Sequence, residues 1–510
     1  MNQSFHKTIH RALVSVYHKN GLDETFELLH SHGVELLSTG GTAQWIKSLG
    51  YPCTEVENLI QFPPILNGRV KTLHPVIFGG ILGRRNNPTD RETLQKFDIP
   101  WIDLVIVDLY PFEETLKSGA SEDDIIEKID IGGISLIRAA AKNFQDVFVI
   151  PSQRDYATLN GILRRRNYTT LEERKYMAYK AFSESAAYDA SIYNWFSRDQ
   201  EFNGEVRIAL SRSHPLRYGE NPHQKGWFSG DWTECFDHIQ GKGLSYNNLL
   251  DLDSGFDILN EFHDPAWVII KHNNPCGVAM NSEAVHAFEK ALASDTKSAF
   301  GGVFLTNRIV PKAVAEKLND FFYEVISAPG FDSDALELLK TRGQRILLKH
   351  QNFKKPSFVL RNALNGFMIQ ERDQLPFRDE HLKVVTSRSP DNEKMADLKF
   401  AWKIVRHARS NSIVIAKGQV MIGIGVGHTS RVDALHHALH KCKEAGFDPR
   451  GSVMASEAFF PFSDSIEIAA QAGIEVIIQP GGSVRDNEII ESCNKLGLAM
   501  LFTGTRHFKH

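Results

Sequence analysis

The sequence predicts an α/β protein of several domains, on three observations. Strand-like and helix-like segments alternate over residues 11–150, the pattern of a parallel sheet. From Tyr176 to Phe196, aromatic residues and alanines recur at helical spacing, which reads as helices joining two domains. Beyond residue 206, two stretches repeat one order of apolar strand, amphipathic helix and small-residue segment, suggesting an internal duplication. A length of 510 residues also exceeds what one ordinary core supports.

The first elements follow in order. Arg11-Ala-Leu-Val-Ser-Val-Tyr17 reads as a strand, and Leu22 to His32 has helical spacing that stops at Gly33. Val34 to Ser38, Val76 to Leu82 and the long apolar run Trp101 to Leu109 are expected strands. Ser135 to Asn143 is a short helix, and Asp146 to Ile150 closes the set. In the later half, Val268 to Ile270 and Ile413 to Ala416 are the paired strands. Glu283 to Ala293 and Asp433 to Ala445 are the paired helices.

Composition narrows the function classes. A net charge near −4 argues against a general nucleic-acid surface. The five cysteines (53, 235, 276, 442 and 493) are scattered without a C-x-x-C, which suits a reducing compartment and no zinc knuckle. No run approaches the roughly 18 apolar residues of a membrane span, and the N-terminus lacks a signal-peptide core. A cytoplasmic enzyme is expected.

Chemistry concentrates at strand ends. Ser38-Thr-Gly-Gly-Thr42 joins a strand to a helix expected near Ala43, with Thr42 able to cap it. Converging backbone N–H groups at a helix start favour a phosphate. Asn67-Gly-Arg-Val-Lys-Thr-Leu-His74 adds two cations in a glycine-containing loop. Asp108-Leu-Tyr110-Pro111 puts a carboxylate and a phenol after the buried strand. Asp130-Ile-Gly-Gly133 opens the helix whose Arg138 and Lys142 share a face. Such points converge on one crevice in a parallel sheet.

In the later half, Ala266-Trp-Val-Ile-Ile-Lys-His-Asn-Asn-Pro-Cys-Gly277 ends a buried strand in Lys271 and His272, followed by a turn. A Lys–His pair can accept a proton and stabilise an oxyanion. The plain alternative is a capped strand with an exposed lysine. Leu216-Arg-Tyr-Gly-Glu-Asn-Pro-His-Gln224, Ser298-Ala-Phe-Gly-Gly302 and Ser410-Asn-Ser412 supply further polar groups. Gly423-Ile-Gly-Val-Gly-His428 lacks the third glycine of a dinucleotide fingerprint.

In this order, and over essentially the whole chain, these motifs resemble the bifunctional purine-biosynthesis family that couples 5-aminoimidazole-4-carboxamide ribonucleotide (AICAR) transformylase to IMP cyclohydrolase. The resemblance implies a methylglyoxal-synthase-like cyclohydrolase domain over 1–150 and a helical linker over 151–205. It implies a transformylase domain over 206–510, built from two cytidine-deaminase-like repeats and working as a homodimer with shared sites. The implied reactions are formyl transfer from 10-formyltetrahydrofolate to the AICAR 5-amine, then dehydrative closure of formyl-AICAR to IMP. No catalytic metal, nucleic acid or membrane partner is implied.

Carried over by motif, Lys71, Tyr110, Asp130 and Lys142 surround the closing ring. Ser15, Ser38, Thr39, Gly40, Gly41, Thr42, Arg69 and Thr72 hold the nucleotide. Lys271 and His272 form the formyl-transfer centre, with His272 as base for the amine proton. Arg217, Tyr218 and Arg506 bind the nucleotide, Gly301, Asn411 and Phe459 contact the base, and Ser430 and Pro461 face the folate. Glu324 stands where the family often has aspartate, and the segment between Lys349 and Asn411 is shorter than in longer members. Two rival readings are a zinc deaminase and a nucleotide-sensing first domain. The deaminase needs H-x-E and P-C-x-x-C. The chain has no H-x-E, and Ala279 takes the second ligand position after Pro275-Cys276.

Overall fold

The computed structural model describes residues 6–66, 69–200, 205–210 and 213–510. Asn67 and Gly68 of the basic loop therefore lie outside the described residues. The chain forms two compact units, Met1–Ser211 and Arg212–His510. No helix among the described residues is long and apolar enough to cross a membrane.

The first unit is built on five parallel strands in the order Thr54–Glu55, Glu35–Ser38, Arg11–Val16, Leu104–Asp108, Phe148–Ile150. Ala12 to Val14 and Leu104 to Val107 are buried, as expected of near-continuous apolar strands covered on both faces. One expected strand is a helix instead. Pro75–Leu82 is helical, with Pro75 in its first turn and the His74 ring accepting from the Val76 N–H at 3.3 Å. Its buried Ile77, Gly80 and Ile81 sit three and four apart. A short apolar run does not distinguish strand from helix, and here the proline start decided it.

Elements within residues 151–200 pack against this sheet. The helix Leu171–Ser197 carries a capping box of Thr170 and Glu173 and buries Met177, Ala178 and Ala181 in the core of the parallel sheet. Its buried Arg174 donates to Phe144 O at 2.9 Å and Thr169 O at 2.7 Å. Arg138 turns towards this helix, donating to Ser185 Oγ at 2.9 Å.

The second unit centres on one twelve-stranded sheet made of two halves with the same topology. Each half has a helix (Tyr246–Leu259; Asn392–Val405) and then an antiparallel hairpin (Ala266–Lys271 with Asn274–Met280; Ile413–Lys417 with Val420–Gly425). A second helix follows (Ala284–Ser294; Arg431–Glu444). Three mutually parallel strands then flank the hairpin: Val303–Thr306, Val325–Ala328 and Ile346–His350, or Val453–Ser456, Val476–Gln479 and Ala499–Phe502. The halves meet antiparallel at Ala279 and Val420. Where a turn through Asn-Asn-Pro-Cys-Gly was expected, the turn is only His272–Asn273. Pro275 enters the next strand beside a register shift at Ile269/Ile270, where a missing N–H is tolerated.

Candidate active sites

In the first unit, a cleft of about 520 Å³ opens at the carboxyl ends of the parallel strands. One wall is an anion cradle. The helix Gly40–Ser48 starts with Thr39 at its cap position, and Thr39, Gly41 and Thr42 line the cleft; the Thr42 and Ala43 N–H groups bond Thr39 O, and the N–H groups ahead of them precede the first helical acceptor. The Lys71 ammonium stands 3.8 Å from where a Cβ on Gly40 would lie, and that of Lys19 stands 3.9 Å from the same point on Gly41. Ser15, Arg69 and Thr72 also line the cleft, and Arg69 is ion-paired with Glu127. Two expected donors are committed elsewhere. Ser38 Oγ donates to Val14 O at 2.7 Å, and Thr42 Oγ1 donates to Val16 O at 3.0 Å rather than capping the helix.

The opposite wall carries Tyr110 and Asp130. Asp130 Oδ1 accepts from the Gly133 N–H at 2.6 Å. A Cβ on Gly133 would lie 2.5 Å from Asp130 Oδ2, so only glycine lets the carboxylate sit there. Burial raises the Asp130 carboxyl above the ordinary aspartate value, against the opposing pull of the Gly133, Tyr110 and Gly132 N–H groups. Burial, and then the Asp130 charge, raise the Tyr110 phenol. Tyr17 meets Tyr110 edge-on at 5.5 Å, and Lys128 Nζ lies 5.1 and 5.9 Å from the two ring centres. Asp108 holds His18 through Nδ1 at 2.8 Å. From the helix Leu171–Ser197, the Tyr188 hydroxyl accepts from the Asp130 N–H and donates to Lys128 O, both at 2.7 Å.

Lys142 does not join this cleft. It is exposed on the last turn of Gly132–Lys142, about 15 Å along the axis from Gly132.

In the second unit, the predicted residues gather at one end of the twelve-stranded sheet. Lys271 ends its strand, and its ammonium donates to Phe300 O at 2.8 Å and Gly301 O at 3.0 Å. The exposed His272 and the half-buried Asn273 adopt left-handed φ of 52° and 62°. That conformation costs a non-glycine residue on the order of 1 kcal/mol. Glu324 directly precedes the strand Val325–Ala328, its N–H bonded to Gly302 O at 3.0 Å and its carboxylate paired with Lys242 at 2.7 Å. The Arg217 N–H bonds Leu244 O at 3.3 Å, and its guanidinium lies 5.1 Å from the Tyr218 ring centre.

Asn411, Phe459, Pro461 and Arg506 belong to the other half but fall at the same end of the sheet, because Ile413–Lys417 runs antiparallel to Ala266–Lys271. Asn411 Oδ1 accepts from Arg431 Nη2 at 2.8 Å, and Arg431 is paired at 2.7 Å with the fully buried Glu457. Ser430 caps the helix Arg431–Glu444, accepting from the Asp433 N–H at 3.1 Å. Arg506 lies 4.3 Å from the Phe508 ring centre. Among the described residues, no hydrogen bond or ion pair joins this cluster to Lys271–His272.

Comparison with known proteins decides the family. Residues 140–441 match the AICARFT/IMPCHase bienzyme model, and residues 21–135 match the MGS-like domain. A bifunctional purine biosynthesis protein PurH of Bacteroides thetaiotaomicron is 53% identical over 99% of both chains. The protein of that name from Aquifex aeolicus is 46% identical over 98% of this chain and all of its own. The chain belongs to the AICARFT/IMPCHase bienzyme family. As such a bienzyme it catalyses the last two steps of IMP synthesis, formyl transfer to AICAR and ring closure of formyl-AICAR. Its formyltransferase half implies a folate cosubstrate.

Sequence reasoning missed several residues whose contacts lie beside these candidate sites. Lys19 follows a strand directly and was legible as a strand-end cation. Tyr188, Lys242, Asp251 and Glu457 were not, since each reaches its site through a contact distant in sequence.

Proposed function

We propose that ring closure takes place in the cleft of the first unit and formyl transfer at the Lys271–His272 strand end of the second. The convergence of the anion cradle with Tyr110 and Asp130 on one cleft carries the first assignment. The nucleotide phosphate lies against the Gly40–Thr42 backbone, between Lys19 and Lys71. Its carboxamide nitrogen then attacks the formyl carbon of the same molecule, so fixing the near-attack geometry lowers much of the barrier. Lys71 and the Tyr110 phenol stabilise the oxygen that becomes negative, and Asp130 moves the proton as water leaves. Lys142 does not line this cleft within one chain, and no step is assigned to it.

At the second site the AICAR amine attacks the formyl carbon of 10-formyltetrahydrofolate. His272 takes the amine proton, Lys271 stabilises the formyl oxyanion, and the C–N bond to folate breaks with protonation of the departing nitrogen. Arg217, Tyr218, Gly301, Glu324, Asn411, Phe459 and Arg506 hold the nucleotide, with Ser430 and Pro461 towards the folate. These proton transfers run between side chains and substrates and need no metal. The matching halves of the sheet support a pair of cytidine-deaminase-like repeats. The resemblance to the family supports a homodimer with shared formyl-transfer sites. A cytoplasmic location fits these small-molecule substrates.

The test is Lys71→Met in the full chain, supplied with AICAR and 10-formyltetrahydrofolate. Formyl-AICAR should accumulate while formyl transfer continues. Undiminished IMP formation would remove the cleft from ring closure.

A further inference from the structure

We infer that Asp251 is a positioning residue for formyl transfer, holding the His272–Asn273 turn in the conformation that presents the imidazole. This rests on placing that reaction at Lys271–His272.

Asp251 lies on the helix Tyr246–Leu259, and its Oδ1 accepts from the Asn273 N–H at 2.7 Å. Ser254, on the same helix, donates to Asn273 Oδ1 at 3.2 Å. Two successive left-handed residues, neither a glycine, need such fixing to persist. Burial raises the Asp251 carboxyl, and its bond to the Asn273 N–H and the charges of His272 and Lys271 pull the other way.

The second half of the sheet supplies an internal comparison. Its hairpin turn is Gly418–Gln419, with φ of 59° and 55°. Asp397, at the corresponding place on the helix Asn392–Val405, accepts from the Gly418 and Gln419 N–H groups at 2.8 and 2.7 Å. Lys417 donates to Arg450 O at 2.8 Å, as Lys271 does to Phe300 O. Carboxylate, turn and lysine are thus common to both halves. The imidazole is absent from the twin, which has Gly418 where His272 stands and Gln419 where Asn273 stands. The Asp397 turn also lies at the opposite end of the sheet from Asn411. Both clamps have the same structural part, but only that of Asp251 carries a reacting group.

The test uses full-length Asp251→Ala, Asp251→Asn, Asp397→Ala and His272→Gln, assayed for both reactions. Asp251→Ala should lower the formyl-transfer kcat about 10- to 100-fold, the scale of a displacement near 1 Å, with KM for AICAR within roughly three-fold. Asn retains an acceptor oxygen, so Asp251→Asn should recover most of that loss. Asp397→Ala should leave kcat within about three-fold while lowering thermal stability comparably. Equal kcat losses in Asp251→Ala and Asp397→Ala, or no recovery with asparagine, would overturn the inference. If Asp251→Ala does not fold, a folded Asp251→Asn as inactive as His272→Gln has the same force. Full formyl transfer by His272→Gln would instead remove the site assignment itself.

Discussion

In the cleft proposed for ring closure Gly133 packs closely against Asp130, and Gly133→Ala tests that approach with one methyl group. The new Cβ would stand 2.5 Å from Asp130 Oδ2 and 2.9 Å from its carboxyl carbon, against backbone held in a helix. Ordinary contact requires the carboxylate to retreat about 1 Å, which weakens its bond from the Gly133 N–H. Overpacking of this kind costs about 1–3 kcal/mol, while alanine in place of glycine in a helix returns about 0.5–1 kcal/mol. Stability therefore falls by at most about 2.5 kcal/mol, a few degrees in melting temperature for a unit of this size. Catalysis is more sensitive, because a displacement near 1 Å costs about 100-fold in rate. Ring closure is followed with formyl-AICAR as substrate, and formyl transfer in the same preparation serves as the control. The expected result is a selective loss of ring closure in a folded protein. Ring closure within about three-fold of the parent would refute the claim that Asp130 must stand where it does.

Asp130→Asn should abolish ring closure and leave stability at pH 7 equal or higher. The folded-state pKa is raised, so this group's stabilising contribution is full below the unfolded value of 3.8 and is lost as pH rises through the folded value. Melting temperatures of both proteins across pH check the sign. Lys19→Ala should raise KM for formyl-AICAR roughly 10- to 100-fold with little change in formyl transfer, as expected for one lost charge-assisted phosphate bond. Arg431→Met strands the fully buried Glu457 carboxylate and should cost about 3–5 kcal/mol, read by denaturant unfolding.

Much of both sites was legible because parallel and mixed sheets collect loops at their strand ends, and the chemistry-bearing residues follow apolar runs directly. Thr39, Tyr110 and Lys271 were singled out this way, and Lys71 as a cation of a glycine-containing loop. What remained hidden depends on direction and on distant contacts. Val76 to Leu82 is apolar enough for either element, and its helix is set by His74 and Pro75. Lys142 shares a face with Arg138, but that face turns towards Ser185 and away from the cleft. Tyr188 sits in a segment whose aromatic spacing spoke only of a helix, yet its hydroxyl meets Asp130, 58 residues earlier. The duplication was visible as a repeated order of elements. The equivalence of Asp251 and Asp397 emerged only from the hydrogen bonds to their turns.

The separation of the two reactions between the two units is tested most directly by mixing two proteins, each lacking one reaction. Lys71→Met should make formyl-AICAR and stop there, and His272→Gln should close formyl-AICAR but make none. Together, given AICAR and 10-formyltetrahydrofolate, they should produce IMP after a lag in which free formyl-AICAR accumulates. A well-folded His272→Gln protein that also fails to close added formyl-AICAR would contradict two independent sites.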